Sequence, residues 1–96
     1  MNLTNLYTLI LDRKLHPQPG SYTNSLFDSG LPRMAQKVGE EATEVVVAAL
    51  AQQNDRLIEE LADLTYHTLV LMAAKGLTPA DVLAELEKRH QPSAGD

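Results

Sequence analysis

Two consecutive segments of about 20 residues each repeat apolar residues at the spacing of an α-helix. The first is predicted to be helical over residues 32–52, with Pro32 in its first turn, where a missing amide is tolerated. The second is predicted over residues 55–75, with Asn54 and Asp55 supplying a turn and an N-cap and Gly76 ending the helix. Because no segment alternates with a period of two, we expect an all-α fold with two long antiparallel helices at its centre.

A shorter helix and a long connection are expected before this pair. Apolar residues at helical spacing predict a helix over residues 2–15, which ends before Pro17 because proline disfavours a helical predecessor. Residues 16–31 are rich in proline, glycine and serine, so they are interpreted as a loop with at most one helical turn over residues 22–28. Connections of this length are usually functional or disordered, and Tyr22, Leu26 and Phe27 indicate that this one packs.

A last helix is expected over residues 79–90. It follows Thr78, which is predicted to form a capping box with Asp81. Residues 1–90 are therefore predicted to form a single all-α domain, and residues 91–96 to form a flexible C-terminal tail.

The two central helices are apolar over more than one face. Residues 45–50 and residues 69–74 are each six consecutive apolar residues, more than one partner helix in a 96-residue chain covers. We therefore expect a homodimer, whose paired central helices complete a four-helix bundle, since two-fold association is the commonest way to bury such surfaces.

The charge pattern narrows the classes of function. The chain has 13 acidic and 8 basic residues, and a net charge of −5 argues against nucleic acid as a partner. Seven of the acids and one base lie within residues 40–63. The absence of cysteine excludes disulfides, thiolate zinc sites and cysteine nucleophiles. With no apolar stretch long enough to span a membrane and no secretory signal pattern, we expect a cytoplasmic protein.

Four carboxylates are placed where they can converge. Glu41 and Glu44 are three residues apart on the first long helix, and Glu60 and Asp63 are three apart on the second. Such pairs lie on adjacent helical turns, and a tight connection makes the two helices neighbours. Like charges repel at these spacings, which suggests a bound cation. A set of oxygen ligands without cysteine favours a hard cation, and Mg²⁺, with Mn²⁺ as a substitute, fits better than zinc.

Two other interpretations are open for these acids. They can be ordinary solvated helix surface, with Lys37 and Glu41 forming a simple ion pair four residues apart. A di-iron centre is disfavoured, because carboxylate bundles that hold iron use Glu-x-x-His motifs and His67 lies four residues after Asp63 and seven after Glu60.

The sequence resembles the phosphoribosyl-ATP pyrophosphohydrolase family, within the all-α nucleotide pyrophosphohydrolase superfamily. The segments KVGEEATE (residues 37–44) and EELADLTYH (residues 59–67) are similar to the superfamily's Glu-x-x-Glu and Glu-x-x-Asp metal motifs. Thr43 and Thr65 occupy positions that are more often apolar in the family. The resemblance extends over nearly the whole chain, and the remaining segments that carry it are Arg13-Lys14, Gly20-Ser21-Tyr22-Thr23, Leu26-Phe27, Gly76-Leu77 and the closing helix through Arg89-His90.

The resemblance implies the second step of histidine biosynthesis, in which phosphoribosyl-ATP is hydrolysed to phosphoribosyl-AMP and pyrophosphate. Many relatives carry this activity fused to a cyclohydrolase domain. The length of this chain leaves no room for one, so the next step is expected on another chain.

The resemblance also implies roles for individual residues. Magnesium held by the four carboxylates would sit against the triphosphate and activate a water that attacks between the α- and β-phosphates. Glu40 or Glu41 is the candidate general base. Lys37 either offsets charge on the leaving pyrophosphate or pairs with a neighbouring glutamate. Basic residues before the long connection and hydroxyl side chains within it are candidates to contact ribose or phosphate, although surface solubility also explains single basic residues. His67 either orients Asp63 or is structural. The candidate substrate-binding residues are Arg13, Lys14, Ser21, Tyr22, Thr23 and Lys37.

Two alternative functions are kept. One is a house-cleaning pyrophosphohydrolase that acts on free nucleoside triphosphates through the same metal site. The other is a non-catalytic dimerisation module whose acidic face binds a basic partner.

Overall fold

A computed structural model describes residues 1–90 and contains, over that range, five helices and no strand. The helices are α1 (Leu3–Leu15), α2 (Tyr22–Ser29), α3 (Leu31–Ala51), α4 (Asn54–Ala74) and α5 (Pro79–Arg89). The predicted all-α class is confirmed. The flexible tail predicted for residues 91–96 lies outside the described residues.

Helices α3 and α4 form an antiparallel hairpin, because only Gln52 and Gln53 separate two helices that pack against each other. The predicted N-cap of α4 is wrong. Gln53 occupies that position without a side-chain hydrogen bond, and Asp55 lies inside the first turn, where a carboxylate favours the positive end of the helix dipole. At the other end Gly76 has a φ of +73°, as expected for a glycine that terminates a helix.

The long connection contains more structure than the sequence predicts. Residues 22–29 form a complete two-turn helix, α2, instead of at most one turn. The Ser21 hydroxyl caps it by accepting a hydrogen bond from the Asn24 amide at 3.2 Å, and Leu26 anchors it in the core. The predicted capping box between Thr78 and Asp81 is present at the start of α5.

The core lies at one end of the hairpin, where α1 and α2 pack against α3 and α4. Its buried members are Tyr7, Ile10, Leu26, Met34, Leu69, Val70 and Ala73. Most of the apolar run at residues 69–74 is therefore covered within the chain, contrary to the expectation for that segment. The run at residues 45–50 behaves as expected, because Val46 and Leu50 are 56% and 84% exposed.

Within residues 1–90, the opposite end of the hairpin consists of α3 and α4 and exposes large apolar side chains. They are Val46, Val47, Leu50, Ile58 and Leu61. Helix α5 has no buried residue and leaves an apolar groove of about 380 Å³ against α4, lined among others by Leu64, Val82 and Leu86. None of the helices within residues 1–90 combines the length and apolarity needed to cross a membrane.

Candidate active site

Three carboxylates meet at the middle of the α3–α4 hairpin. Glu41 projects from α3, and Glu60 and Asp63 project from α4, and each offers an oxygen within 4.8 Å of the other two. Glu60 is buried, Glu41 is half-buried and Asp63 is exposed, so the cluster opens to solvent on one side. Glu44, the fourth acid expected at this site, lies outside the cluster.

Two of the clustered glutamates each pair with a basic side chain that lies one turn earlier on the same helix. Lys37 Nζ lies 3.4 Å from Glu41 Oε1 and 3.7 Å from Glu40 Oε2. Arg56 spans two acids, with one guanidinium nitrogen 2.7 Å from Glu59 Oε2 and the other 2.7 Å from Glu60 Oε1. The sequence interpretation missed Arg56, although it is the one base among residues 40–63 and lies four residues before Glu60.

The surroundings of Glu60 act on the pKa of its carboxyl group in both directions, with a net increase. Burial raises the pKa of its carboxyl group, and the charges of Asp63, Glu44 and Glu41 raise it further, while Arg56 acts in the opposite direction. Glu59 and Glu60 in turn raise the pKa of the Arg56 guanidinium. Such a site gains stability from an additional cation.

Glu40 lies outside the carboxylate cluster, although it is adjacent to Glu41 in sequence. Its Oε1 accepts hydrogen bonds from Gln36 at 2.7 Å and from Arg33 at 3.3 Å. The bond from Gln36, together with the charges of Arg33 and Lys37, lowers the pKa of Glu40 despite some desolvation. Glu40 is therefore a poor proton acceptor, because its pKa is lowered and its Oε1 already accepts two hydrogen bonds.

The donor set fits a small hard divalent cation. Carboxylate oxygens from two adjacent helices converge within 4.8 Å, and the exposed side leaves room for water ligands. Mg²⁺ typically binds one or two carboxylates plus water and substrate phosphates, which is a closer match than the nitrogen and sulfur ligands of structural zinc.

The predicted substrate-binding residues occupy two different environments. Ser21, Tyr22 and Thr23 start α2, and the first two line an open depression of about 710 Å³ between residues 17 and 28. Lys14 instead donates to the Ala73 carbonyl at 2.8 Å, and Arg13 pairs with Asp12 at 3.2 Å. Both bases are thus engaged within the chain, Lys14 at the C-terminal turn of α4.

Side chains at the start of α2 bind directly to α4. The Tyr22 hydroxyl lies 3.1 Å from His67 Nε2, and the Thr23 hydroxyl bonds to the Tyr66 hydroxyl. The other nitrogen of His67, Nδ1, lies 2.8 Å from the backbone carbonyl oxygen of Asp63. His67 therefore contacts the main chain of Asp63, and no bond to its carboxylate occurs among the described residues.

Asn24 is a further residue that the sequence interpretation missed. Its buried side chain donates to the Arg13 carbonyl at 2.6 Å and accepts from the Gln18 amide at 2.9 Å. These bonds connect the end of α1, the connection and α2. An asparagine in a loop-like segment was the only available signal.

Comparisons with known proteins show which family the chain is similar to. The phosphoribosyl-ATP pyrophosphohydrolase family model matches residues 3–90. A phosphoribosyl-ATP pyrophosphatase of Sulfurisphaera tokodaii is 53% identical over 91% of this chain and 93% of its own length. One from Listeria welshimeri is 52% identical over 91% of this chain and 84% of its own length.

A longer relative shares the same region. The histidine biosynthesis bifunctional protein HisIE of Caldanaerobacter subterraneus is 46% identical over 93% of this chain, which corresponds to 43% of that protein. The carboxylate cluster on the α3–α4 hairpin lies within residues 3–90, the region that the family model matches. The family and enzyme class predicted from the sequence are confirmed, and the chain belongs to the phosphoribosyl-ATP pyrophosphohydrolase family.

Proposed function

We propose that this chain hydrolyses phosphoribosyl-ATP to phosphoribosyl-AMP and pyrophosphate, the second step of histidine biosynthesis, with Mg²⁺ as cofactor. The observation that carries the proposal is the convergence of Glu41, Glu60 and Asp63 at one point of a family-matched hairpin. An acidic site does not attract a polyanionic triphosphate by itself, so a divalent cation is needed between them. Mn²⁺ is the expected substitute, because it prefers similar oxygen ligands.

The acidic residues at and beside the cluster have two roles in this proposal, metal binding and general base. Glu41, Glu60 and Asp63 hold the metal, with Glu44 near enough to influence Glu60 and to bind through water. The bound ion supplies Lewis acidity toward the phosphate oxygens and toward water. Of the two general-base candidates, Glu41 is favoured over Glu40, whose carboxylate is bound by Gln36 and Arg33.

Lys37 and the start of α2 complete the site on the substrate side. Lys37 is half-buried beside Glu41, where its ammonium group can stabilise negative charge on the departing pyrophosphate. Ser21 and Tyr22 line the depression that we assign to the ribose and phosphate groups, and Thr23 follows them at the start of α2. Arg13 and Lys14 contribute indirectly, since both already bind groups of the chain itself.

We further propose that the protein is a homodimer, with its hairpins paired in a four-helix bundle. The exposed apolar end of the hairpin supports this arrangement, because Val46, Leu50 and Ile58 remain more than half exposed in one chain. The proposed substrate is a charged nucleotide that does not cross membranes unaided, so we place the reaction in the cytoplasm.

The decisive experiment is pyrophosphate release from phosphoribosyl-ATP by the purified protein, with Mg²⁺ and with chelator. We expect metal-dependent release and phosphoribosyl-AMP as the only nucleotide product. ATP and dUTP are assayed in parallel, since a house-cleaning enzyme would prefer these free nucleotides. A folded protein that releases no pyrophosphate from any of them would overturn the proposal.

Charge-neutralising variants separate a metal site from a non-catalytic acidic surface. Asp63→Asn and Glu44→Gln should each lower turnover by at least about 100-fold if the ligand charge is needed in the transition state. The matched control is Glu85→Gln on α5, which removes an exposed acid outside the cluster and should retain full turnover. Under the dimerisation-module alternative, both site variants would be harmless or stabilising, because they relieve repulsion.

A further inference from the structure

Side-chain hydrogen bonds connect the start of α2 to α4. Tyr22 and Thr23, the first two residues of α2, bond to His67 and Tyr66, which are consecutive on α4. The Tyr66 and His67 rings meet edge to face with centroids 5.2 Å apart, and Tyr22 stacks on Tyr66 at 6.2 Å. This group of four side chains joins the start of α2 to α4, the helix that carries two of the clustered carboxylates.

The hydrogen bonds of His67 determine which ring nitrogen carries a proton. A backbone carbonyl oxygen only accepts hydrogen bonds, so the contact with Asp63 places a proton on His67 Nδ1. In the neutral ring Nε2 then carries a lone pair, and the Tyr22 hydroxyl donates to it. His67 is buried, which leaves little room for either bond to be exchanged for water.

We propose that His67 is a positioning residue for substrate binding, one that acts through Tyr22. Two consecutive hydrogen bonds run from the Asp63 main chain through the imidazole to Tyr22, at the edge of the depression assigned to the substrate. They hold the α2 segment at a fixed position relative to the carboxylate cluster. The expected change in KM rests on the proposed function, whereas the hydrogen bonds that position α2 do not.

The orientation of Tyr22 distinguishes a positioning role from direct donation of a hydrogen bond by its hydroxyl to the substrate. The residue is 55% exposed, yet its hydroxyl is directed inward to His67. A hydroxyl that already donates to the imidazole has no proton left for the substrate. The ring therefore faces the substrate side, while the hydroxyl fixes where the ring and its neighbours lie.

Tyr22→Phe tests the inference, because it keeps the ring and removes only the hydroxyl. A net hydrogen bond is worth about a fivefold change in an equilibrium, so we expect KM for phosphoribosyl-ATP to rise about fivefold with kcat within about twofold. The matched control is Tyr7→Phe, which removes a hydroxyl that donates to the Leu77 carbonyl at 2.6 Å, away from α2. The control should leave KM unchanged.

Variants of His67 show whether the effect passes through the imidazole. His67→Leu should raise KM as much as Tyr22→Phe does, and the double variant should add nothing further, since both remove the same connection. His67→Gln, which retains an amide able to accept near the Nε2 position, should recover part of the loss. Additive KM effects in the double variant, or a fall in kcat at constant KM, would overturn the positioning role.

Two measurements do not require turnover. Nitrogen NMR of His67 in wild type, at about pH 8 to favour neutral rings, should show a proton on Nδ1 and a Nε2 resonance that moves in Tyr22→Phe. Amide exchange within α2 should accelerate about fivefold in that variant. A protonated Nε2, or unchanged exchange, would refute the connection even if the wild type hydrolyses the substrate. Conversely, an inactive wild type with both expected signals would refute only the proposed function.

Discussion

Replacing Asn24 by alanine should destabilise the protein by about 2 kcal/mol. The buried amide donates to the Arg13 carbonyl at 2.6 Å and accepts from the Gln18 amide at 2.9 Å. Each net hydrogen bond between neutral groups contributes about 1 kcal/mol, and alanine removes both at once. For a domain of this size about 1 kcal/mol corresponds to a shift of about 4–8 °C, so the midpoint should fall by about 8–16 °C.

The assay is thermal and urea unfolding followed by circular dichroism, with all variants at one protein concentration because dimerisation would make the midpoint concentration-dependent. The urea midpoint should fall while the slope of the transition stays constant. Asn54→Ala is the matched control, since Asn54 is exposed and its side chain makes no hydrogen bond within residues 1–90. The control should change the free energy of unfolding by less than about 0.5 kcal/mol. If Asn24→Ala is equally mild, the two bonds do not hold the connection and the reasoning is refuted.

Three further predictions address the site and the assembly. Arg56→Gln should tighten Mg²⁺ binding about threefold or more in calorimetry, because it removes a cation that competes for Glu60; weaker binding would show that the guanidinium instead orients the ligand. Leu50→Asp should weaken dimerisation by at least about 100-fold in sedimentation equilibrium, since burying a leucine contributes about 1.5–3 kcal/mol and a two-fold interface contains it twice. Glu40→Gln should keep turnover within about tenfold of wild type whereas Glu41→Gln loses at least about 100-fold, and the reverse order would make Glu40 the base.

Most of the fold could be predicted from the sequence because its signals are local. Helical spacing, Pro32, Gly76 and the Thr78 capping box together placed α3, α4 and α5 within about two residues of their observed bounds. Helix α2 was underestimated, because its stability depends on Leu26 reaching a core built from distant segments. Tyr22, Leu26 and Phe27 indicated that this segment packs, but its composition, rich in turn residues, did not show that the packing completes a helix.

The candidate site could be predicted in part, because the spacing of acids along one helix is also a local signal. Spacing along each helix predicts which acids share a face, and three of the four expected ligands converge. Spacing does not determine which acid of a pair faces the neighbouring helix, so the position of Glu44 outside the cluster was not predictable. The bonds of Lys14 to Ala73 and of Tyr22 to His67 join residues 59 and 45 positions apart, and only the folded chain shows them.

The cations beside the cluster explain how the hairpin folds around a concentration of acids. Lys37 pairs with Glu41 and Arg56 pairs with Glu60, each from four residues earlier on its own helix. In an isolated helix this order, with the base before the acid, is the less stabilising of the two. The pairs are therefore better explained as neutralising one carboxylate on each helix than as supporting the helices themselves. Since Asp63 and Glu44 have no basic partner within residues 1–90, negative charge remains at the cluster, as expected for a site that is completed by a metal ion.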